Sequence, residues 1–141
     1  MDDQVITGSN YGGFTDSEVG LAVKSSDLLG HLTKMVEVAG YHVASYHGIA
    51  EILQFLSRNG GSPVILDADL FGGSYTETMQ EIKKVSQETT VAYLVGWWDE
   101  RVPDLSGYSK YFIFTPLRQK QIEQVLPLIM CNKVAVPSAR A

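Results

Sequence analysis

The residue that points most directly to chemistry is Asp67. It ends a short apolar run, residues 63–67 with the sequence PVILD, and Ala68, Asp69 and a glycine pair at 72–73 follow it closely. An acidic side chain at the end of a buried strand, before a glycine-rich turn, lies where open α/β sheets bind their ligands. Phosphorylation of such a carboxylate needs a divalent cation with several oxygen ligands, because negative charges meet there. The groups at the other strand ends therefore decide what Asp67 can do.

Two acidic residues and one lysine are the candidates to assist Asp67. Asp69 and Asp27 could donate oxygen ligands, but Asp69 reads better as a solvated turn residue and Asp27 as a helix cap. Lys24 directly follows the first predicted strand. If that strand lies beside the strand of Asp67, the ammonium could pair with the carboxylate and lock the site. The alternative is a Lys24 side chain in solvent. We predict no metal and no cofactor.

Strand and helix patterns alternate through the middle of the chain. Apolar runs predict strands at 18–23, 41–46, 64–66, 91–95 and 111–114. Helical spacing predicts helices after Ser25, over 49–57, after a capping box at 74–77 and from Pro116 onward. In the third helix Met79, Ile82 and Val85 are predicted to face inward. Gly40 is predicted to end the first helix.

Five strands that alternate with helices predict a parallel sheet covered on both faces. The expected fold is a flavodoxin-like three-layer α/β sandwich with strand order 2-1-3-4-5. Pro103 and Gly107 oppose a helix between the last two strands, so the fourth helix is predicted to be short or missing.

The layout over residues 18–130 resembles the CheY-like receiver domains of response regulators. Leu66-Asp67, followed by Phe71-Gly72, looks like the phosphoacceptor segment of that family. The resemblance implies an acidic pair after strand 1, a Ser or Thr at the end of strand 4 and a Lys before the proline after strand 5. This chain instead has Val23 and Lys24, then Val95, then Thr115. Only Asp67 carries over, and Lys24, Asp67 and Thr115 are interpreted as a locked, vestigial site.

A second resemblance concerns the setting. Residues 20–24 (GLAVK), Gly40 and residues 43–48 (VASYHG) are similar to the receiver-like modules that precede the true receiver in hybrid sensor kinases, such as that of the Rcs phosphorelay. It implies a docking domain, in a parent that could be a hybrid histidine kinase. The implied partners are a histidine kinase, a phosphotransfer domain or a response regulator.

The connection between strands 4 and 5 holds the candidate partner surface. Both tryptophans of the chain, Trp97 and Trp98, stand at its start, and Tyr108 lies near its end. Adjacent residues of an extended segment point to opposite sides. We therefore expect one tryptophan to be buried and the other, Trp98, to be an exposed interface anchor.

Composition excludes several classes of function. The net charge of −5 and the absence of a Lys/Arg run predict no basic surface that could bind nucleic acid. The single cysteine fits a reducing compartment, and no apolar run is long enough for a membrane span. The expected location is the cytoplasm, including the cytoplasmic part of a membrane-bound sensor. Residues 1–17 and 131–141 read as a flexible linker and a flexible tail.

The sequence thus predicts a non-enzymatic pseudo-receiver that acts through protein–protein contacts. One alternative is an atypical receiver that a partner kinase phosphorylates on Asp67. Another is a small flavin- or nucleotide-binding domain, for which Lys24, Ser25 and Ser26 would form the phosphate loop without the usual glycine spacing. His31, on the first helix, reads as a surface residue.

Overall fold

The sheet has the predicted topology. In the computed structural model, which describes residues 18–138 except 72–74, 106 and 108, five parallel strands form one sheet in the order β2-β1-β3-β4-β5. The side chains of residue 104 and of residues 131–138 also lie outside the described part. The strands are β1 Glu18–Ala22, β2 His42–Tyr46, β3 Val64–Asp67, β4 Val91–Gly96 and β5 Tyr111–Thr115.

Helices cover both faces of this sheet. They are α1 Ser26–Val38, α2 Ile49–Arg58, α3 Tyr75–Val85, α4 Val102–Leu105 and α5 Gln119–Ser138. A 3₁₀ turn, Ala68–Leu70, follows β3 directly. The fourth helix has only 4 residues, as Pro103 and Gly107 predicted. The last helix extends to Ser138, and the predicted domain bounds stay a prediction.

Successive side chains of each strand point to opposite faces of the sheet, so the apolar core has two parts, one on each face. Ile65 of β3 and Leu94 of β4 pack with α1 and α5, whereas Leu66 and Tyr93 pack with α2, α3 and Leu105 of α4. Successive side chains of a strand point to opposite faces, so both faces of a central strand must be apolar. The continuous apolar run before Asp67 follows from this burial on two sides.

Local signals fix the ends of α1. The Ser25 side chain accepts a hydrogen bond from the backbone N–H of Leu28 and is the N-cap. Asp27 is therefore not the cap. It lies in the first turn, where its charge complements the helix dipole. Gly40 follows the helix with a φ of 101°, a left-handed conformation that favours glycine.

Two predicted helix details are wrong. Val85 is 39% exposed, and the buried position after Met79 and Ile82 belongs to Ser86, whose hydroxyl accepts the N–H of Gly61. Helical spacing explains this, because residue 86 is two turns beyond residue 79. Pro116 does not open α5. It follows a cis peptide bond with Thr115, and the helix begins at Gln119. Ser74 of the predicted capping box lies outside the described residues.

Candidate functional site

The carboxyl ends of the strands enclose a small cavity. Because all strands are parallel, the ends of β1, β3, β4 and β5 meet at the same edge of the sheet. The cavity has a volume of about 190 Å³. Its lining includes three carboxylates, an arginine, a tryptophan and a threonine: Asp67, Asp69, Asp99, Arg101, Trp98 and Thr115.

Asp67 is a buried carboxylate with backbone partners on both oxygens. It is only 6% exposed. Its Oδ2 accepts the backbone N–H of Lys24 at 3.1 Å, and its Oδ1 accepts the backbone N–H of Asp69 at 3.0 Å. Hydrogen bonds to an ionised carboxylate are stronger than those between neutral groups. Asp67 therefore ties the end of β1 to the 3₁₀ turn after β3.

Lys24 contributes its backbone to the site. Its side chain is exposed, and its N–H is the group that donates to Asp67. Within the described part of the chain no ion pair joins the Lys24 ammonium to the carboxylate. The predicted lock by the ammonium is thus replaced by a main-chain hydrogen bond, because residue 24 leaves the end of β1 with its N–H directed at β3 and its side chain outward.

The family resemblance also names one position at the end of β4 and one at the end of β5, Val95 and Thr115. Val95 is 3% exposed and packs in the apolar core, so the end of β4 offers no hydroxyl. Thr115 is half-buried and lines the cavity, at the register position opposite Gly96.

Arg101 is the cation of the site, and the sequence did not single it out. Its guanidinium binds the Asp99 carboxylate in a two-pronged contact, with Nε to Oδ1 at 2.9 Å and Nη2 to Oδ2 at 2.5 Å. Nη1 donates to the carbonyl oxygen of Ala68 at 3.0 Å, and Nη2 donates to Asp69 Oδ1 at 2.8 Å. One side chain therefore joins the loop after β4 to the turn that follows Asp67.

The contact between Arg101 and Asp99 shifts the pKa values of both side chains. The hydrogen bond from the Arg101 side chain lowers the pKa of Asp99 below its usual value, against the opposing effect of burial. The same contact, followed by that with Asp69, raises the pKa of Arg101. The Asp99 side chain is 12% exposed, that of Arg101 35% and that of Asp69 65%. The pair of Arg101 with Asp99 is thus the inner and better protected contact.

Both tryptophans are exposed. Trp97 is 70% and Trp98 65% exposed, and their rings meet edge to face with centroids 5.7 Å apart. The prediction that one of them is buried is wrong, because the segment is not extended. The N–H of Asp99 bonds to the carbonyl of Gly96, so the chain turns there. The Trp98 ring lies over Gly96, where an added Cβ would lie 2.9 Å from ring carbons.

Two further residues were candidates from the sequence, Tyr108 and His31. Tyr108 lies outside the described residues. His31 is exposed on α1, as predicted. Among the described residues, no three or more His, Cys, Asp or Glu side chains are arranged to hold a metal ion. No helix in the described part of the chain is long and apolar enough to cross a membrane.

The signal for Arg101 was present in the sequence. Asp99-Glu100-Arg101 follows β4 by a few residues, at the edge of the sheet where ligands bind. An acid and an arginine two residues apart can form a local ion pair. The contacts with Ala68 and Asp69 could not be read from that spacing, because they cross more than thirty positions of sequence.

Comparison with known proteins identifies the fold. No protein-family model and no curated protein sequence matches the chain. Among solved structures, a response regulator receiver domain protein from Clostridium thermocellum superposes with a TM-score of 0.73 at 18% identity, covering 85% of this chain and 98% of that one. The signal receiver domain of a putative LuxO repressor protein from Vibrio parahaemolyticus gives 0.73 at 16% identity, covering 89% and 98%.

Two other solved structures with a similar fold are described as proteins of other kinds. A putative pilus assembly-related protein from Burkholderia pseudomallei superposes with a TM-score of 0.70 at 14% identity, covering 87% of this chain and 96% of that one. A chain described as one of a novel family of redox sensors in the streptococci, evolved from two-component response regulators, gives 0.74 at 13% identity, covering 87% and 55%. At these identities the likeness establishes the flavodoxin-like receiver fold.

Proposed function

We propose that this chain is a pseudo-receiver: a non-enzymatic module of two-component or phosphorelay signalling that binds partner proteins without a phosphorylation switch. The observation that carries the proposal is the state of Asp67. Backbone N–H groups engage both of its oxygens. A carboxylate that holds two strand ends together has a structural task that a phosphoryl group would interrupt.

Magnesium, which the receiver fold implies, does not fit the residues at this edge. A hard cation needs several oxygen ligands. The end of β1 offers the apolar side chain of Val23 and the backbone N–H of Lys24, which donates to Oδ2 of Asp67. The other two carboxylates of the cavity are already bound to Arg101. These residues support a site that takes no metal.

The proposed partners are a histidine kinase, a phosphotransfer domain or a response regulator, and the parent protein could be a hybrid histidine kinase. The exposed Trp97–Trp98 pair is the proposed contact surface, together with Tyr108. Exposed tryptophans are enriched at the energetic centres of interfaces. Val95 has no hydroxyl that a phosphoryl group could attract, so this surface has one state.

Two other functions were considered from the sequence: an atypical receiver and a flavin- or nucleotide-binding domain. The atypical receiver is a distinct hypothesis, because the resemblance assigns Asp67 to the phosphoacceptor position. The cavity of about 190 Å³ is smaller than the roughly 300–1,000 Å³ of typical cofactor pockets, which does not favour flavin binding.

Phosphorylation with a small donor separates the pseudo-receiver from the atypical receiver. We expect that incubation with acetyl phosphate and Mg²⁺ leaves the intact mass of the protein unchanged, because the residues at this edge do not hold a magnesium ion beside Asp67. An active receiver domain treated in parallel is the positive control. A phosphoryl adduct on this chain that disappears in Asp67→Asn would overturn the proposal.

A further inference from the structure

We infer that His47 is a positioning residue for Asp67 and acts on it through the single peptide unit that joins Val23 to Lys24. The imidazole of His47 bonds to the carbonyl of that peptide unit, and the N–H of the same unit donates to the Asp67 carboxylate. This role rests on the proposed function, since it requires Asp67 to remain an unmodified carboxylate. It makes the hold on Asp67 depend on the protonation of a histidine.

One peptide unit carries both hydrogen bonds. Its carbonyl oxygen, on Val23, lies 3.0 Å from Nδ1 of His47, and its nitrogen, on Lys24, lies 3.1 Å from Oδ2 of Asp67. A hydrogen bond accepted by the carbonyl of an amide polarises the whole group and makes its N–H a stronger donor. The histidine after β2 and the carboxylate that ends β3 are therefore coupled through the end of β1.

The bond to Val23 determines which ring nitrogen of His47 carries the proton. A carbonyl oxygen only accepts, so Nδ1 is the donor and holds the proton of the neutral ring. His47 is exposed, so the ring can exchange protons with solvent. When Nε2 takes up a second proton, the bond to Val23 becomes charge-assisted and stronger. Protonation of His47 should therefore strengthen the donation from Lys24 to Asp67.

The carbonyl of Val23 belongs to a fully buried residue. Val23 is 0% exposed, and its own N–H donates to the carbonyl of Tyr46 at 3.1 Å. Buried backbone groups that lose a partner cost free energy. The titratable groups beside this chain of bonds are Glu51, whose carboxylate accepts the backbone N–H of His47 at 3.2 Å, and the exposed side chain of Lys24. Both stay in place when only residue 47 is changed, so variants at that position isolate the ring.

An NMR titration of the full chain between about pH 5 and 8 tests this role. We expect the amide proton of Lys24 to move downfield as His47 takes up its proton, with the same midpoint as the ring signals of His47. His47→Asn is the matched control, because the Asn amide N–H can replace Nδ1 as the donor but does not titrate. In His47→Asn the shift that follows the ring should be lost.

Hydrogen exchange of the Lys24 amide gives a second readout. We expect it to be at least about tenfold faster in His47→Ala, which removes the donor to Val23, and to return to the parent rate in His47→Asn. If His47→Ala does not fold, His47→Phe keeps a ring without the donor and is held to the same outcome.

Three results would overturn the role of His47. They are a Lys24 amide signal that does not follow the ring titration in the parent protein, an equal shift in His47→Asn, and unchanged exchange of the Lys24 amide when the donor is removed. The samples contain no metal ion and no phosphoryl donor. Failure here is therefore distinct from failure of the proposed function, which a phosphoryl adduct on Asp67 reveals.

Discussion

Replacement of Asp67 by alanine is expected to lower the free energy of unfolding by about 2–4 kcal/mol. The buried carboxylate accepts one backbone N–H on each oxygen, from Lys24 and from Asp69. Alanine would leave both donors without their charged acceptor. It would also release the end of β1 from the turn after β3. Denaturant unfolding of the parent and the variant measures the difference.

Two further variants isolate the cause. Asp67→Asn keeps one carbonyl oxygen and should lose about half as much stability. Lys24→Ala should be neutral within about 0.5 kcal/mol, because the donated group is the backbone N–H and the side chain is exposed. A carboxylate crowded by other acids would give the opposite result, since its removal relieves repulsion. A stable or stabilised Asp67→Ala would thus contradict the structural task assigned to Asp67.

Replacement of either tryptophan by alanine is expected to weaken partner binding by on the order of 1–3 kcal/mol. Both rings are exposed and contact each other edge to face, so each supports the other in one apolar patch. Stability should change little, because neither ring lies in the core. Affinity is measured against purified kinase, phosphotransfer and regulator domains from the source organism, and unfolding is measured on the same samples.

An exposed leucine supplies the control for this experiment. Leu128 on α5 is 54% exposed, and Leu128→Ala should leave affinity unchanged if the aromatic patch is the contact surface. If neither tryptophan variant affects binding to a domain that the parent protein binds, the interface lies elsewhere. The first helix around His31 and Lys34 is then the next surface to vary.

The fold could be predicted because its signals are local. Apolar runs mark strands buried on both sides, Ser25 and Gly40 bracket α1, and Pro103 and Gly107 limit α4. Each of these depends on residues a few positions apart. The position of Asp67 also followed from its place at a strand end, because parallel strands bring their carboxyl ends to one edge.

The partners of Asp67 could not be predicted in the same way. The sequence places Lys24 directly after a predicted strand, but it does not show whether the side chain or the N–H turns toward a neighbouring strand. The reach of Arg101 to Ala68 depends on how the β4 loop folds back over β3. The tryptophans were misassigned because a single hydrogen bond, from Asp99 to Gly96, converts an extended segment into a turn.

The most direct measurement of the central claim is an NMR titration of the parent protein with Mg²⁺ and beryllofluoride, which mimics an aspartyl phosphate. If Asp67 is a structural carboxylate whose two oxygens are held by backbone N–H groups, the amide signals of residues 23–27 and 67–71 keep their positions when both reagents are added. Saturable shifts in those two segments at low millimolar Mg²⁺, absent in Asp67→Asn, would show a working receiver and contradict the account.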